Sequence, residues 1–220
     1  MSNRAQIVVL AKRPRPGRVK TRLTPPYTPS EAAELAAGAL ADTLAAVRAA
    51  PAAARVLAFD DDADVPGFDV VRQRGAGLDE RLAWAFHDAY ALRPLPVVLV
   101  GMDTPQLTPA LLARAAEALD GHDAVFGPAT DGGFWLLGLR RPDPARLLGV
   151  PMSRPDTGRA QLGRLRGLSV ALLPPLTDVD DAASARLVAR LAPGIRFAAT
   201  LARLGAGAAT LAGFDVRAAG

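Results

Sequence analysis

The 220-residue sequence contains no cysteine and only two histidines, His87 and His122. The first absence excludes disulfide scaffolds, thiolate catalysis, zinc knuckles and iron–sulfur chemistry. The second leaves too few imidazoles for a histidine-built metal site, so a metal bound here must be held by carboxylates. Long apolar runs are also missing. None approaches the roughly 18 to 20 residues of a membrane span, and Arg4 precedes a strand-length apolar run, not a signal-peptide core. A cytoplasmic protein that does not engage a membrane is the expectation. Long basic tracts are absent too. The formal net charge of +4 leaves 26 basic residues offset by 22 acidic ones, which points to an anionic partner but not to nucleic acid. Lysine is nearly missing: of the 26 Lys and Arg residues, only Lys12 and Lys20 are lysines. Both fall in one short segment, which marks a place where a compact ammonium is needed that a planar guanidinium cannot imitate.

Length and a hydrophobic content of 50% suit one domain with a sizeable core. The continuous β-branched run from Gln6 to Ala11 reads as a strand buried on both faces. Thr28-Pro29-Ser30-Glu31 combines a capping hydroxyl, a proline at the first helical position and a glutamate three residues on, which predicts a helix to about Ala50. Further strands are predicted at Arg55–Phe59, Asp69–Arg72, Pro96–Val100, Ala124–Gly127, Phe134–Leu139 and Ser169–Leu173. Helices are predicted over Asp79–Leu92, from the Thr108-Pro109 cap to about Leu119, and over Thr157–Arg166. This alternation implies a mostly parallel, three-layer α/β sheet, with a domain over residues 1–192 and a helical tail over 193–220. Ligands of such sheets sit beyond the carboxyl ends of the strands, so the loops after Ala11, Val100 and Gly127 are where chemistry belongs.

The first loop, Ala11 to Leu23, carries Lys12, Arg13, Arg15, Arg18, Lys20 and Arg22. Two prolines and Gly17 stiffen it, and it forms a cradle for a polyphosphate through Lys12, Lys20 and Arg22. It lacks the pattern of a Walker A loop, and a solvated basic turn is the alternative. In Gln73-Arg74-Gly75-Ala76-Gly77 the glycines Gly75 and Gly77 let the backbone approach a base or sugar edge, or simply form a flexible loop before an acidic helix start. Asp103 follows a buried strand directly and occupies a natural magnesium position, with capping of the next turn as its alternative. Asp131, Gly132 and Gly133 form a fourth loop, in which paired glycines permit close approach to a ligand and Asp131 orients a metal-bound water, a ligand hydroxyl or a loop amide. At least one of Phe134 and Trp135 belongs to the core. In the acidic turn Asp178–Asp181, Asp178 and Asp180 share a side if the chain is extended; one completes a metal site, or Asp180 caps a helix.

Taken in this order, Lys12 to Leu23, Gln73 to Leu78, Gly101 to Pro105, Gly127 to Gly133 and Asp178 to Asp180 resemble the motifs of a bacterial family in the nucleotide-diphospho-sugar transferase superfamily. That family is labelled rSAM/selenodomain-associated transferase 1, or glycosyltransferase of arsenosugar biosynthesis type, and the resemblance covers roughly Gln6 to Arg190. It implies a Rossmann-like, glycosyltransferase-A-type fold, phosphates near Lys12, Lys20 and Arg22, and Asp103 as ligand of a divalent ion. Where relatives carry Trp-Ser-Thr, this chain has Met152-Ser153-Arg154. The basic loop and lone aspartate also resemble, more distantly, 2-phospho-L-lactate guanylyltransferase and molybdenum-cofactor guanylyltransferase.

Two reactions on this fold need a divalent ion, Mg2+ or Mn2+. Nucleotidyl transfer attacks the α-phosphorus of a nucleoside triphosphate and must neutralise a departing pyrophosphate, which a Lys/Arg loop does well. Glycosyl transfer breaks the anomeric bond of a nucleotide sugar, and many enzymes of this fold use an Asp-x-Asp pair where this chain has Asp103 followed by Thr104 and Pro105. Nucleotidyl transfer to a small-molecule acceptor is the preferred reading, with Lys20, Asp103 and Asp131 catalytic and Asp103 and Asp180 on the metal. Glycosyl transfer from a nucleotide sugar is the alternative, and a non-catalytic nucleotide-binding module the second alternative. Acceptor, nucleobase and oligomeric state are not legible.

Overall fold

Strand β1, Gln6–Ala11, lies inside a seven-stranded sheet because its residues are apolar on both sides. Ile7 and Val9 pack into one helical layer and Val8 into the other, all fully buried. The computed structural model describes residues 5–212. Helix α1, Pro29–Ala49, starts at the expected capping box, where the Thr28 amide donates to the Glu31 carboxylate at 2.7 Å and the Thr28 hydroxyl accepts from the Glu31 amide at 3.3 Å. The elements that follow are β2 Ala54–Phe59, β3 Asp69–Arg72, α2 Leu78–Leu92, β4 Val97–Gly101, α3 Pro109–Gly121, β5 Ala124–Pro128, β6 Phe134–Leu139, α4 Thr157–Arg164, β7 Val170–Leu172, α5 Ala182–Leu191 and α6 Arg196–Ala212. The Thr108 hydroxyl caps α3 by accepting from the Leu111 amide at 3.2 Å.

The strand order is β3-β2-β1-β4-β6-β5-β7. Every neighbouring pair is parallel except β4 with β6 and β5 with β6. The fold is therefore the expected three-layer α/β arrangement with a mostly parallel sheet. The antiparallel exception follows from the short Ala129–Gly133 connection, which is long enough to reverse the chain but not to cross over the sheet. The first three strands step outward from β1, and β4 returns to its other edge. The crevice beyond the carboxyl ends of β1 and β4 is thus the topological switch point of the sheet.

Helices α1 and α3 cover one face through Ala36, Val47, Leu112 and Ala115, and α2 covers the other through Leu82 and Phe86. A third cluster joins Leu35 and Ala39 of α1 to Val188 of α5 and Phe197 of α6. Asp42 fixes the start of α6 by accepting from the amides of Arg196 and Phe197 at 3.0 and 2.8 Å. Of the expected tail, α6 is described as far as Ala212, and the rest to Gly220 lies outside the described residues. Helix α5 follows the acidic turn, where the sequence offers a helix capped by Asp180 as one of two readings. Asp181, not Asp180, caps it, the Asp181 carboxylate accepting from the Ser184 amide at 2.8 Å. Among the described residues no helix is long and apolar enough to cross a membrane.

Candidate functional site

The loop after β1 divides its cations between two tasks. Arg13 and Arg15 turn toward the acidic segment after β2. The Arg13 amide donates to Asp60 at 2.6 Å, its guanidinium pairs with Asp61 at 2.7 Å, and Arg15 also pairs with Asp61. Lys12, Arg18 and Arg22 instead line a cleft of about 700 Å3 at the switch point, together with Ala11, Lys20 and Asp103. The Lys12 amide donates to the Met102 sulfur at 3.4 Å, which joins the root of the loop to the end of β4.

Lys20 departs from its neighbours. Its backbone is left-handed, with φ 49 and ψ 39, a sparsely populated conformation for a residue with a side chain. Its ammonium pairs with Asp103 and donates to the Val179 carbonyl, and the side chain is 7% exposed against 49% for Asp103. Val179 belongs to a strap, residues 176–180, laid across the carboxyl ends of the strands. The Leu176 carbonyl accepts from the Thr130 amide at 2.9 Å, the Thr177 carbonyl from the Gln106 side chain at 2.7 Å, and the Val179 amide donates to the Asp103 carbonyl at 2.8 Å. The strap brings Asp178 and Asp180 into the cleft wall, and Arg22 stands 3.7 Å from the Asp180 carboxylate.

These carboxylates are short of positive charge. Burial pushes Asp178 up to about 8, and the charges of Asp103 and Asp131 push the same way while Lys20 opposes them. Burial likewise raises Asp180, again against Lys20. One oxygen of Asp178 is buried without a hydrogen-bond partner. Such a hard-oxygen donor set, deficient in cations and with a buried acceptor left over, fits a hard divalent ion. No group of three or more His, Cys, Asp or Glu among the described residues is assembled to hold a metal. The chain therefore offers one or two carboxylates, with water and phosphate oxygens left to complete the shell, as magnesium prefers.

The other residues picked out by sequence are placed unequally. Gln73 and Gly133 line the cleft, whereas Gly17, Gly75, Gly77 and Gly132 do not. The Gln73 amide group donates to the carbonyls of Ala11 and Ala58 at 2.6 and 2.9 Å, holding β1 and β2 together at their ends. The close approaches at Gly75 and Gly77 are to the chain's own Glu80 and Asp79. At Gly132, with φ +91, an added Cβ would lie 1.9 Å from the Pro155 carbonyl oxygen, so the glycine seats the loop before α4 and not a ligand. Gly17, with φ +72, has open space around it and forms a turn. Asp131 accepts from the Gly133 amide at 2.9 Å, a loop amide being one of three partners the sequence leaves open for it. Trp135 is buried and donates to the Pro174 carbonyl at 3.1 Å, while Phe134 packs on Phe126 and reaches the cleft.

Three contributors to the wall were given no settled site role from the sequence. Arg18 looked like any other member of its loop. Asp178 was not chosen over Asp180 because alternation alone places both on one side. The third is the turn before α4, where Ser153 has φ 58 and buried Thr157 donates to the Pro151 carbonyl at 2.8 Å. The Arg154 amide donates to the Thr157 hydroxyl at 3.0 Å, which fixes the same turn. The buried hydroxyl opening an amphipathic helix was the available signal.

Residues 34–154 match the family described as "Uncharacterized protein conserved in bacteria (DUF2064)". No curated protein matches the chain. A crystal structure from Desulfovibrio desulfuricans, named as a candidate nucleotide-diphospho-sugar transferase, is similar at a TM-score of 0.83 and 29% identity, covering 98% of this chain and 100% of that one. Rv0371C of Mycobacterium tuberculosis, in complex with manganese, is similar at a TM-score of 0.52 and 23% identity over 84% of this chain and 97% of its own. The 2-C-methyl-D-erythritol 4-phosphate cytidylyltransferase of Thermus thermophilus shares the fold at a TM-score of 0.53 and 20% identity, covering 87% of this chain and 100% of that one.

Proposed function

The chain belongs to the family described as uncharacterized protein conserved in bacteria (DUF2064), and from that premise we propose that it is a divalent-metal-dependent nucleotidyltransferase acting from a nucleoside triphosphate on a small acceptor. The narrower likeness to the rSAM/selenodomain-associated transferase 1 family, carried by the five motifs, belongs to the same proposal. One observation carries it: Asp103, from the end of β4, and Asp180, from the strap, share a single cleft with Lys12, Arg18 and Arg22. The second carboxylate thus comes from a remote segment, while the position two residues after Asp103 is Pro105 and cannot supply an Asp-x-Asp pair. The cytidylyltransferase sharing the fold and the manganese-bound mycobacterial protein support the reading. The name of the Desulfovibrio protein favours the second reading, glycosyl transfer from a nucleotide sugar.

In the proposed reaction an acceptor oxygen attacks the α-phosphorus. The bond from that phosphorus to the oxygen bridging to the β-phosphorus breaks, and pyrophosphate leaves with the electron pair. Lys12, Arg18 and Arg22 hold the β and γ groups by charge-assisted hydrogen bonds and neutralise the leaving group. Asp103 and Asp180 would hold the ion. A bound Mg2+ or Mn2+ supplies Lewis-acid stabilisation of charge developing on the phosphoryl oxygens. Asp131, fixed through the Gly133 amide, is assigned to the acceptor side, where it takes the proton of an attacking hydroxyl.

Calorimetry in magnesium with the four nucleoside triphosphates, their diphosphates and matching nucleotide sugars tests the choice. A triphosphate should bind most tightly. Tighter binding of a nucleotide sugar, with release of nucleoside diphosphate in its presence, would establish glycosyl transfer instead.

A further inference from the structure

A cation already stands among the carboxylates of the cleft. The ammonium of Lys20 pairs with Asp103 and donates to the carbonyl of Val179, between the two aspartates of the strap. Its stem is almost wholly buried and its backbone is held in the left-handed region. An ammonium taken out of water is costly unless its donors are used and its charge is matched. Here it is matched by the paired Asp103, by the charge of nearby Asp180, and by the Val179 carbonyl. Those are oxygens that a hard divalent ion would use.

We propose that the Lys20 ammonium is a built-in counter-ion that occupies the divalent-ion position of the metal-free protein, and that metal binding requires its displacement from Asp103. The inference rests on the metal-dependent reading above and adds to it. An ammonium and a divalent ion in contact with one carboxylate repel strongly in a partly buried site. Metal alone is therefore bound against the ammonium. A triphosphate relieves this conflict because it offers the displaced ammonium a new anionic partner. Metal and nucleotide then favour one another, and the coupling is the same whichever binds first.

Binding of Mn2+ alone, followed by the electron paramagnetic resonance of the free ion without nucleotide, tests the idea. Lys20→Gln removes the charge but keeps a donor for Val179, and it should bind Mn2+ at least about tenfold more tightly than the wild type. Lys20→Arg, which keeps the charge, should stay near the wild type. Unchanged or weaker binding by Lys20→Gln would overturn the counter-ion role. Equal binding by the wild type and Asp103→Asn would instead remove the metal reading on which the inference stands. A second measurement needs no lysine variant, because labelling lysine at Cε gives two side-chain signals, Lys12 and Lys20. Saturating Mg2+ should move the Lys20 signal toward the position it takes in metal-free Asp103→Asn. A Lys20 signal unmoved by Mg2+ would show that the ammonium is not displaced.

Discussion

The amide of Val179 donates to the carbonyl of Asp103 at 2.8 Å, a backbone bond between the segment after the last strand and the end of β4. The carboxylates on these two segments are therefore positioned by main chain. Their side-chain charges can be removed without releasing the strap.

Neighbouring aspartates should separate site from scaffold. Asp180→Asn should lower Mn2+ affinity by at least about tenfold while leaving the melting temperature nearly unchanged, because its side chain is 41% exposed and caps nothing. Asp181→Ala loses the α5 cap, costing about 1 kcal/mol, or about 2–4 °C for a chain of this size, with metal affinity preserved. Calorimetry and thermal melts on the two variants check both halves.

Arg22→Ala should shrink the preference for a triphosphate over its diphosphate. The comparison variant is Arg15→Ala, because Arg15 is committed to Asp61 and lies off the cleft. If titrations in magnesium show equal losses for the two variants, the division of labour in the loop is wrong.

Acid should loosen the edge of the sheet at one identified clamp. Asp123 accepts from the amide and hydroxyl of Ser169, at 3.0 and 2.7 Å, and those bonds hold its carboxyl below the ordinary value of 3.8. With the folded-state value depressed, the contribution is present above the ordinary value and lost as pH falls through the folded one. Ser169→Ala, which removes the hydroxyl bond, should raise the Asp123 titration observed by NMR. It should also lose less stability than the wild type as pH falls through and below the ordinary value of 3.8.

Two glycines with positive φ should respond differently to alanine. At Gly17 nothing lies within 4 Å of an added Cβ, so Gly17→Ala carries only the backbone strain of about 1–2 kcal/mol. Gly132→Ala adds a collision with the Pro155 backbone and should melt lower than Gly17→Ala. Thermal unfolding of both, with equal losses as the contrary result, decides whether Gly132 seats the α4 turn.

The strands and the two proline-led helix starts were legible because their signals are local: a β-branched run, or a hydroxyl placed before Pro29 or Pro109. The strand β6 was legible with its bounds, but its antiparallel orientation was not, since that depends on the short connection from β5. The cap of helix α5 was not legible because three acidic residues in four, Asp178 to Asp181 around Val179, offer several possible caps, and only the reciprocal bond of Ser184 with Asp181 selects one. For the site, residue types and loops were readable, but partners were not. Sequence shows that Lys20 is unusual. Only the fold shows that its ammonium meets Asp103 and not open solvent, or that the close approach at Gly132 is to Pro155.

The strap also has a consequence for synthesis on the ribosome. Lys12, Lys20 and Asp103 are made well before Asp180, yet the strap that orients the carboxylates is stitched to the turns at Thr130 and Gln106 only after both have been translated. A chain made only as far as β6 still lacks Asp178 and Asp180 of the cleft wall. The wall of the cleft is therefore completed late, with the residues just before α5.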